Sequence, residues 1–164
     1  MDIETFVDAF IIHELFAMVD VGFSSFYLHK NAGGKLKAGP IWDLDISSGN
    51  CDYQPDAVRT DYLWCVTNPW YAKLLEFNEF RLLVKQRLQS FNYQAFIDNE
   101  INEILKYEKA YNANFEVWSE ILGVYVWPNT PEIVAITTWR GQVEYLQQWL
   151  TKKLNYMTDV FVNN

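Results

Sequence analysis

Hydrophobic positions along the chain follow two different periods. From Asp2 to Val19 apolar residues recur every three or four positions. Ile3, Phe6, Val7, Phe10, Ile11, Leu15 and Met18 make one stripe, and Ile12, Phe16 and Val19 widen it. That spacing predicts a helix over residues 2–19, and a stripe so wide predicts a largely buried one. Asp2 stands where an N-cap belongs, and Glu4 suits the positive end of the helix dipole. From Ser25 to Lys30 the pattern changes to alternation, with Phe26 and Leu28 opposite Tyr27 and His29, which predicts a strand. Asn31-Ala32-Gly33-Gly34 reads as a turn. Lys35 to Trp42 reads as the return strand, with Pro40 at its edge or end.

Beyond Asn50 the pattern is irregular as far as Asn68, and then helical. Pro69 suits a first helical position, with Trp70, Leu74, Leu75 and Phe77 on the apolar side. Phe80, Leu83, Val84 and Leu88 predict a second helix of this half, and Phe96, Ile101, Ile104, Leu105 and Tyr107 a third. Trp127-Pro128-Asn129-Thr130-Pro131 interrupts the chain. A long last helix is expected from Glu132 through Val143, Leu146, Leu150, Leu154 and Met157 to Phe161, capped by Thr130 with Pro131 in its first turn. The expected fold is α+β and mostly α-helical: one β-hairpin packed on a helical body, in a single domain over residues 1–164. Five of the seven glycines lie between Gly22 and Gly49, so the tight bends, and the loops that commonly carry function, are expected there.

Composition narrows the function classes. Thirteen basic and 21 acidic residues leave a net charge of −8, which argues against a nucleic-acid binder, since phosphate backbones need a basic face. Half the residues are hydrophobic and 17 % aromatic, so the chain has ample apolar surface to order itself. No apolar run approaches the roughly 18 residues that span a bilayer, so membrane insertion is not expected. Cys51 and Cys65 do not make a disulfide framework; they pair in an exported protein or stay as buried thiols. Asp2 and Glu4 stand where a signal peptide would be basic, so no leader is expected in this chain.

The candidate chemistry is acidic. Asp20 ends the first predicted helix, and Asp43 and Asp45 end the second predicted strand. A hairpin between them returns the chain close to its start, and Asp43 and Asp45 face one side of a straight strand. Carboxylates gathered in this way can share Mg²⁺, which takes oxygen ligands and often needs only one or two carboxylates plus substrate phosphates. The alternative is that each aspartate caps a helix or turn, a common use of this residue. His13-Glu14 starts like a zinc-protease helix, but Ala17 stands where the second His is required. Seven Trp and ten Tyr are large core anchors or a sugar-stacking surface; Trp64, Trp70, Trp118 and Trp127 lie near loops.

The run Gly33-Gly34-Lys35-Leu36-Lys37-Ala38-Gly39-Pro40-Ile41-Trp42-Asp43-Leu44-Asp45 resembles the signature of the CotH family of spore coat protein kinases. Phe6-Val7-Asp8-Ala9-Phe10, Glu14-Leu15, Asp20, Ser25, Tyr27, Lys30 and Gly49-Asn50 fit the same family. Trp70 to Arg87 and Trp149 to Phe161 resemble its later helices more loosely. The resemblance implies an atypical kinase with a protein-kinase-like core that transfers phosphate from ATP, with Mg²⁺, to Ser or Thr of a protein substrate. It makes Asp20 the catalytic base and Asp43 the metal-binding aspartate, the counterpart of the aspartate in Asp-Phe-Gly. Asp45 matches a second family aspartate, either a further metal contact or a loop anchor. Conventional kinase loops place an Asn metal ligand five residues after the base; that position is Ser25, and Met18 stands where those loops have His. No glycine-rich phosphate loop or strand lysine precedes Asp20, so the resemblance covers a C-terminal, catalytic lobe. The N-terminal lobe is expected outside this chain or lost, and little kinase activity is expected from these residues alone. The rival reading is a non-catalytic structural or interaction module of a coat or secreted assembly. A spore-coat or extracellular location is implied only by the resemblance.

Overall fold

Phe10 sits where three segments of the chain meet, and its surroundings explain the architecture. It lies on α1, Ile3–Leu15, in a computed structural model that describes residues 1–163. Its ring meets Tyr71, Phe80 and Phe161 edge-on, at centroid separations of 5.3, 5.9 and 5.7 Å, the arrangement that aromatic quadrupoles favour. The three partners belong to α2 (Pro69–Leu75), α3 (Asn78–Ser90) and a π turn over Asp159–Asn163. The wide stripe therefore does what its width implies: α1 is surrounded, with Phe6, Val7 and Ile11 also buried.

Helix α4 (Tyr93–Leu105) lies against α7 (Trp139–Thr158), which carries the π turn at its end. Between them come α5 (Glu108–Val117) and the short α6 (Pro131–Val134). The described residues thus hold seven α-helices and one antiparallel hairpin, a mostly helical fold with a small β part, as expected. No described helix is long and apolar enough to cross a membrane. Cys51 and Cys65 are both free and buried, in agreement with the thiol reading.

Four expectations are corrected. α1 ends at Leu15, not Val19. Ala17 takes a left-handed φ of +43°, and the backbone groups a longer helix would use are engaged elsewhere: Val19 N–H donates to Ile46 O (3.1 Å), and Phe16 O accepts from Ser48 N–H (2.6 Å). Asp2 occupies the N-cap position without a capping bond; its carboxylate lies 3.6 Å from Lys37 Nζ instead.

The hairpin is shorter than the alternation implies. β1 is Leu28–His29 and β2 is Lys37–Ala38, with Leu28 opposite Ala38 and His29 opposite Lys37. The Asn31–Gly34 turn forms as expected, Gly34 N–H donating to Asn31 O at 3.0 Å. Positive φ at Ser25, Gly39 and Asp43 (+52°, +107° and +67°) ends the extended backbone on both sides.

The expected last helix is two helices. Thr130 caps α6 through Ile133 N–H (3.4 Å), but Thr138 then accepts from Gly141 N–H (3.1 Å) and caps α7 afresh. A second β-branched cap residue at Thr138 is what divides the run. α5 went unread because none of its residues is buried, so it shows no apolar stripe.

Candidate functional site

The segment after α1 is pinned on both sides of Asp20. Beyond Ala17 the chain enters a 3-10 turn over Val19–Gly22 that contains Asp20. The Trp64 indole N–H donates to Met18 O at 2.7 Å, and the Asn68 side-chain amide donates to Val21 O. Asp20 O in turn accepts from Phe23 N–H and Ser24 N–H, both at 2.9 Å. Asp20 itself is half-buried, and its carboxylate accepts no hydrogen bond from the described residues. It therefore caps neither a helix nor a turn, unlike most aspartates at helix ends.

Two ties join this segment to the one that holds Asp43 and Asp45. Val19 N–H reaches Ile46 O, next to Asp45, and Ser25 Oγ donates to Asp43 Oδ2 at 3.0 Å. Residues 19–25 thus lie alongside residues 43–46. Among the described residues four that are not glycine have positive φ, Ala17, Ser25, Asp43 and Ser48, and all four flank these ties. Each such residue costs about 1 kcal/mol, so the path of these two segments is held by the surrounding structure against local preference.

The four candidate residues are not one cluster. Asp43 and Asp45 are exposed and Ser25 is half-buried. Asp20 lines a cleft of about 430 Å³ with Gly22, Phe23, Tyr53, Gln54 and Trp64. Asp45 lines a separate one of about 320 Å³ with Ser47, Ser48 and Asn50, and its backbone carbonyl accepts from Asn50 Nδ2 at 3.3 Å. Among the described residues no group of three or more His, Cys, Asp or Glu is placed to hold a metal ion. What the fold does gather is the pair Ser25–Asp43. Its oxygens suit a hard cation such as Mg²⁺, and one Asp43 carboxylate oxygen is not used by Ser25.

The floor and walls of the Asp20 cleft are aromatic. Trp64 is buried beneath it, while Phe23 is 93 % exposed at its mouth. Tyr53 stacks on Trp127, centroids 5.7 Å apart and planes 3° from parallel. Burial raises the Tyr53 phenol pKa above its ordinary value, and the nearby Cys51 and Asp20 charges push it the same way. Of the loop tryptophans singled out from the sequence, Trp70, Trp118 and Trp127 are exposed and Trp64 is not.

Sequence reasoning missed the polar network behind the cleft. Glu14, on the buried helix, is fully enclosed and 2.5 Å from Lys153 Nζ, which is also fully enclosed. Its two oxygens accept from Trp64 N–H (3.0 Å) and Cys65 N–H (2.7 Å), and Lys153 donates further to Tyr62 O. Lys153 falls on the apolar stripe of α7 and gives no signal of its own. Asn68 is also hidden from pattern reading. It caps α2, its Oδ1 accepting from Trp70 and Tyr71 N–H at 2.8 and 3.1 Å, while its amide holds Val21. His13 is no metal ligand: it is buried, with Nδ1 2.9 Å from Tyr71 Oη and the ring against Phe26. Burial lowers its pKa to about 4.

A family model described as CotH kinase protein matches residues 1–157. No curated protein matches the chain, and no solved structure does.

Proposed function

The chain belongs to the CotH kinase protein family, and on that premise we propose that it is the catalytic-lobe portion of an ATP- and Mg²⁺-dependent atypical protein kinase acting on Ser or Thr of a protein substrate. One observation carries the reading. Two long-range ties, Val19–Ile46 and Ser25–Asp43, set an unpartnered carboxylate, Asp20, on a segment beside a second, exposed carboxylate, Asp43.

Phosphoryl transfer asks a protein mainly for positioning and charge neutralisation. Asp20, open to a cleft and free of hydrogen-bond donors, accepts the proton of the acceptor hydroxyl and orients that oxygen. Asp43 would hold Mg²⁺, with the Ser25 hydroxyl in the place where conventional loops use Asn. Asp45 sits on the same segment but opens on a different cleft, which suits a loop anchor better than a metal contact. When bound, ATP with Mg²⁺ supplies the transferable phosphoryl group and the charge that offsets it. The coat or secreted setting and the protein acceptor follow from the family alone.

The test is ligand-linked stability. A ligand at one hundred times its dissociation constant stabilises a protein by about 2.7 kcal/mol, several degrees in a domain of this size. In the full-length protein that carries the expected N-terminal lobe, ATP with Mg²⁺ is expected to raise the melting temperature, and Asp43→Asn to remove most of the shift. ADP formation should be lost in Asp20→Asn. An unchanged melting temperature, with no ADP formed, would favour the second reading, a non-catalytic interaction module. The feature that speaks for that reading is Ser25 at the Asn position.

A further inference from the structure

Asp20 owes its position to bonds that reach its turn from behind and leave its carboxylate untouched. Its turn is gripped at the carbonyls on either side: Met18 O by the Trp64 indole at 2.7 Å, and Val21 O by the Asn68 amide. The grip is close, because a Cβ built at Gly22 would stand 3.2 Å from both Thr67 O and the Asn68 backbone. Trp64 and Asn68 are themselves fixed. Trp64 N–H is bound at 3.0 Å by Glu14, whose charge is matched by Lys153 within the core. Asn68 is locked by capping α2 with the oxygen of the same amide that holds Val21. Both side chains are buried, so neither bond competes with bulk water.

We propose that Trp64 and Asn68 are positioning residues for Asp20, a clamp that relays the rigidity of the Glu14–Lys153 pair and the α2 cap to the carboxylate. This rests on the reading of Asp20 as the group that accepts the hydroxyl proton. A carboxylate without hydrogen-bond donors of its own has nothing else to fix its place. Displacement of about 1 Å in a reacting group lowers rates by as much as about a hundredfold.

Two variants separate clamp from scaffold. Trp64→Phe removes the indole N–H and keeps an aromatic ring in the core. Asn68→Asp keeps an oxygen for the α2 cap, removes the donor to Val21 and adds a negative charge, which suits the N-terminus of α2. Amide hydrogen exchange is measured on each, alongside ADP formation from ATP with Mg²⁺ by the full-length protein that carries the expected N-terminal lobe. In both variants the Phe23 and Ser24 amides, which bond Asp20 O at 2.9 Å, are expected to exchange at least tenfold faster, while amides of α7 keep their protection. kcat should fall tenfold or more, with KM for ATP within about twofold. Unchanged exchange at Phe23 and Ser24 would overturn the clamp whatever the turnover. So would normal kcat in both variants where Asp20→Asn is inactive. If Asp20→Asn turns over like the wild type, the reading of Asp20 as base fails, while the exchange data still decide whether the turn is clamped.

Discussion

Replacing Lys153 by methionine tests how the core supports the site. Lys153 and Glu14 are both 0 % exposed and 2.5 Å apart. Glu14 also accepts two backbone N–H groups, and Lys153 donates to Tyr62 O. Met fills nearly the same volume as Lys, so packing is little changed and the charge is what is lost. Breaking a buried pair from one side strands its partner and costs about 3–5 kcal/mol. Whole domains are stable by only about 5–15 kcal/mol, so this is a large fraction of the total. With a urea m value of about 2 kcal/mol per molar, the midpoint should fall by about 2 M. Glu14→Gln should cost a similar amount, because the Trp64 and Cys65 N–H groups then share one weaker acceptor. The double variant should lose less than the sum of the singles by about 1–3 kcal/mol, the sign of direct coupling. Urea unfolding followed by far-ultraviolet circular dichroism reads all four proteins. A loss below about 1 kcal/mol for Lys153→Met, or strict additivity, would show that the two charges do not depend on each other.

Three further outcomes are expected. Burial holds His13 neutral, with its pKa at about 4 against an ordinary 6.5; above pH 6.5 both folded and unfolded chains are neutral there, but between 6.5 and 4 only the unfolded chain takes the proton. Stability should therefore fall by up to about 3 kcal/mol as pH drops through that window, and His13→Gln should flatten the profile; parallel profiles would refute it. Gly49 has φ +84°, and a Cβ there would lie 2.5 Å from Tyr145 Oη and 2.7 Å from Trp149 Nε1, so Gly49→Ala should lower the melting temperature by several degrees, a loss of about 2 kcal/mol or more; an unchanged melting temperature would contradict the close approach. Cys51 and Cys65 are buried and unpaired, and burial pushes the Cys65 thiol well up. A thiol reagent should therefore titrate almost none in the native protein and two in urea, and fast native labelling would argue against that burial.

What the sequence made legible was periodicity. The stripe from Ile3 to Leu15, the Asn31–Gly34 turn, and Pro69 and Thr130 at helix starts are all local signals, and each appears where it was read. What stayed hidden was set by distant partners. The last residues of the first stripe leave the helix because Phe16 and Val19 bond to Ser48 and Ile46, some 30 positions away. The hairpin loses most of its expected length because Ser25 and Asp43 turn to face each other instead of continuing as strands. Asp20, Ser25, Asp43 and Asp45 were all named from the sequence; the separation of Asp20 and Asp45 into different clefts was not. Lys153 was invisible because a lysine on an apolar stripe carries no sign of a carboxylate 139 positions earlier in the chain. Asn68 was passed over because its two roles require two partners, one local and one not.

The contrast between Glu14 and Asp20 bears most directly on what the site is for. Both are acidic, six positions apart, and both lie against the segment 62–68. That segment has donors to give: it sends two backbone N–H groups to Glu14, and an indole and an amide to the carbonyls beside Asp20. None goes to the Asp20 carboxylate. A purely structural aspartate in a half-buried turn would gain about 1 kcal/mol from any one of those bonds. Forgoing it leaves a carboxylate whose backbone is fixed and which lines the cleft without a hydrogen-bond donor, as the proposed role of proton acceptor would require. Ser25 and Asp43 show the complementary arrangement. Both bear the strain of positive φ, and their side chains meet in a hydrogen bond. Stability alone would select a glycine at either position. Residues with oxygen-bearing side chains at both are what the proposed cation site would add to that requirement.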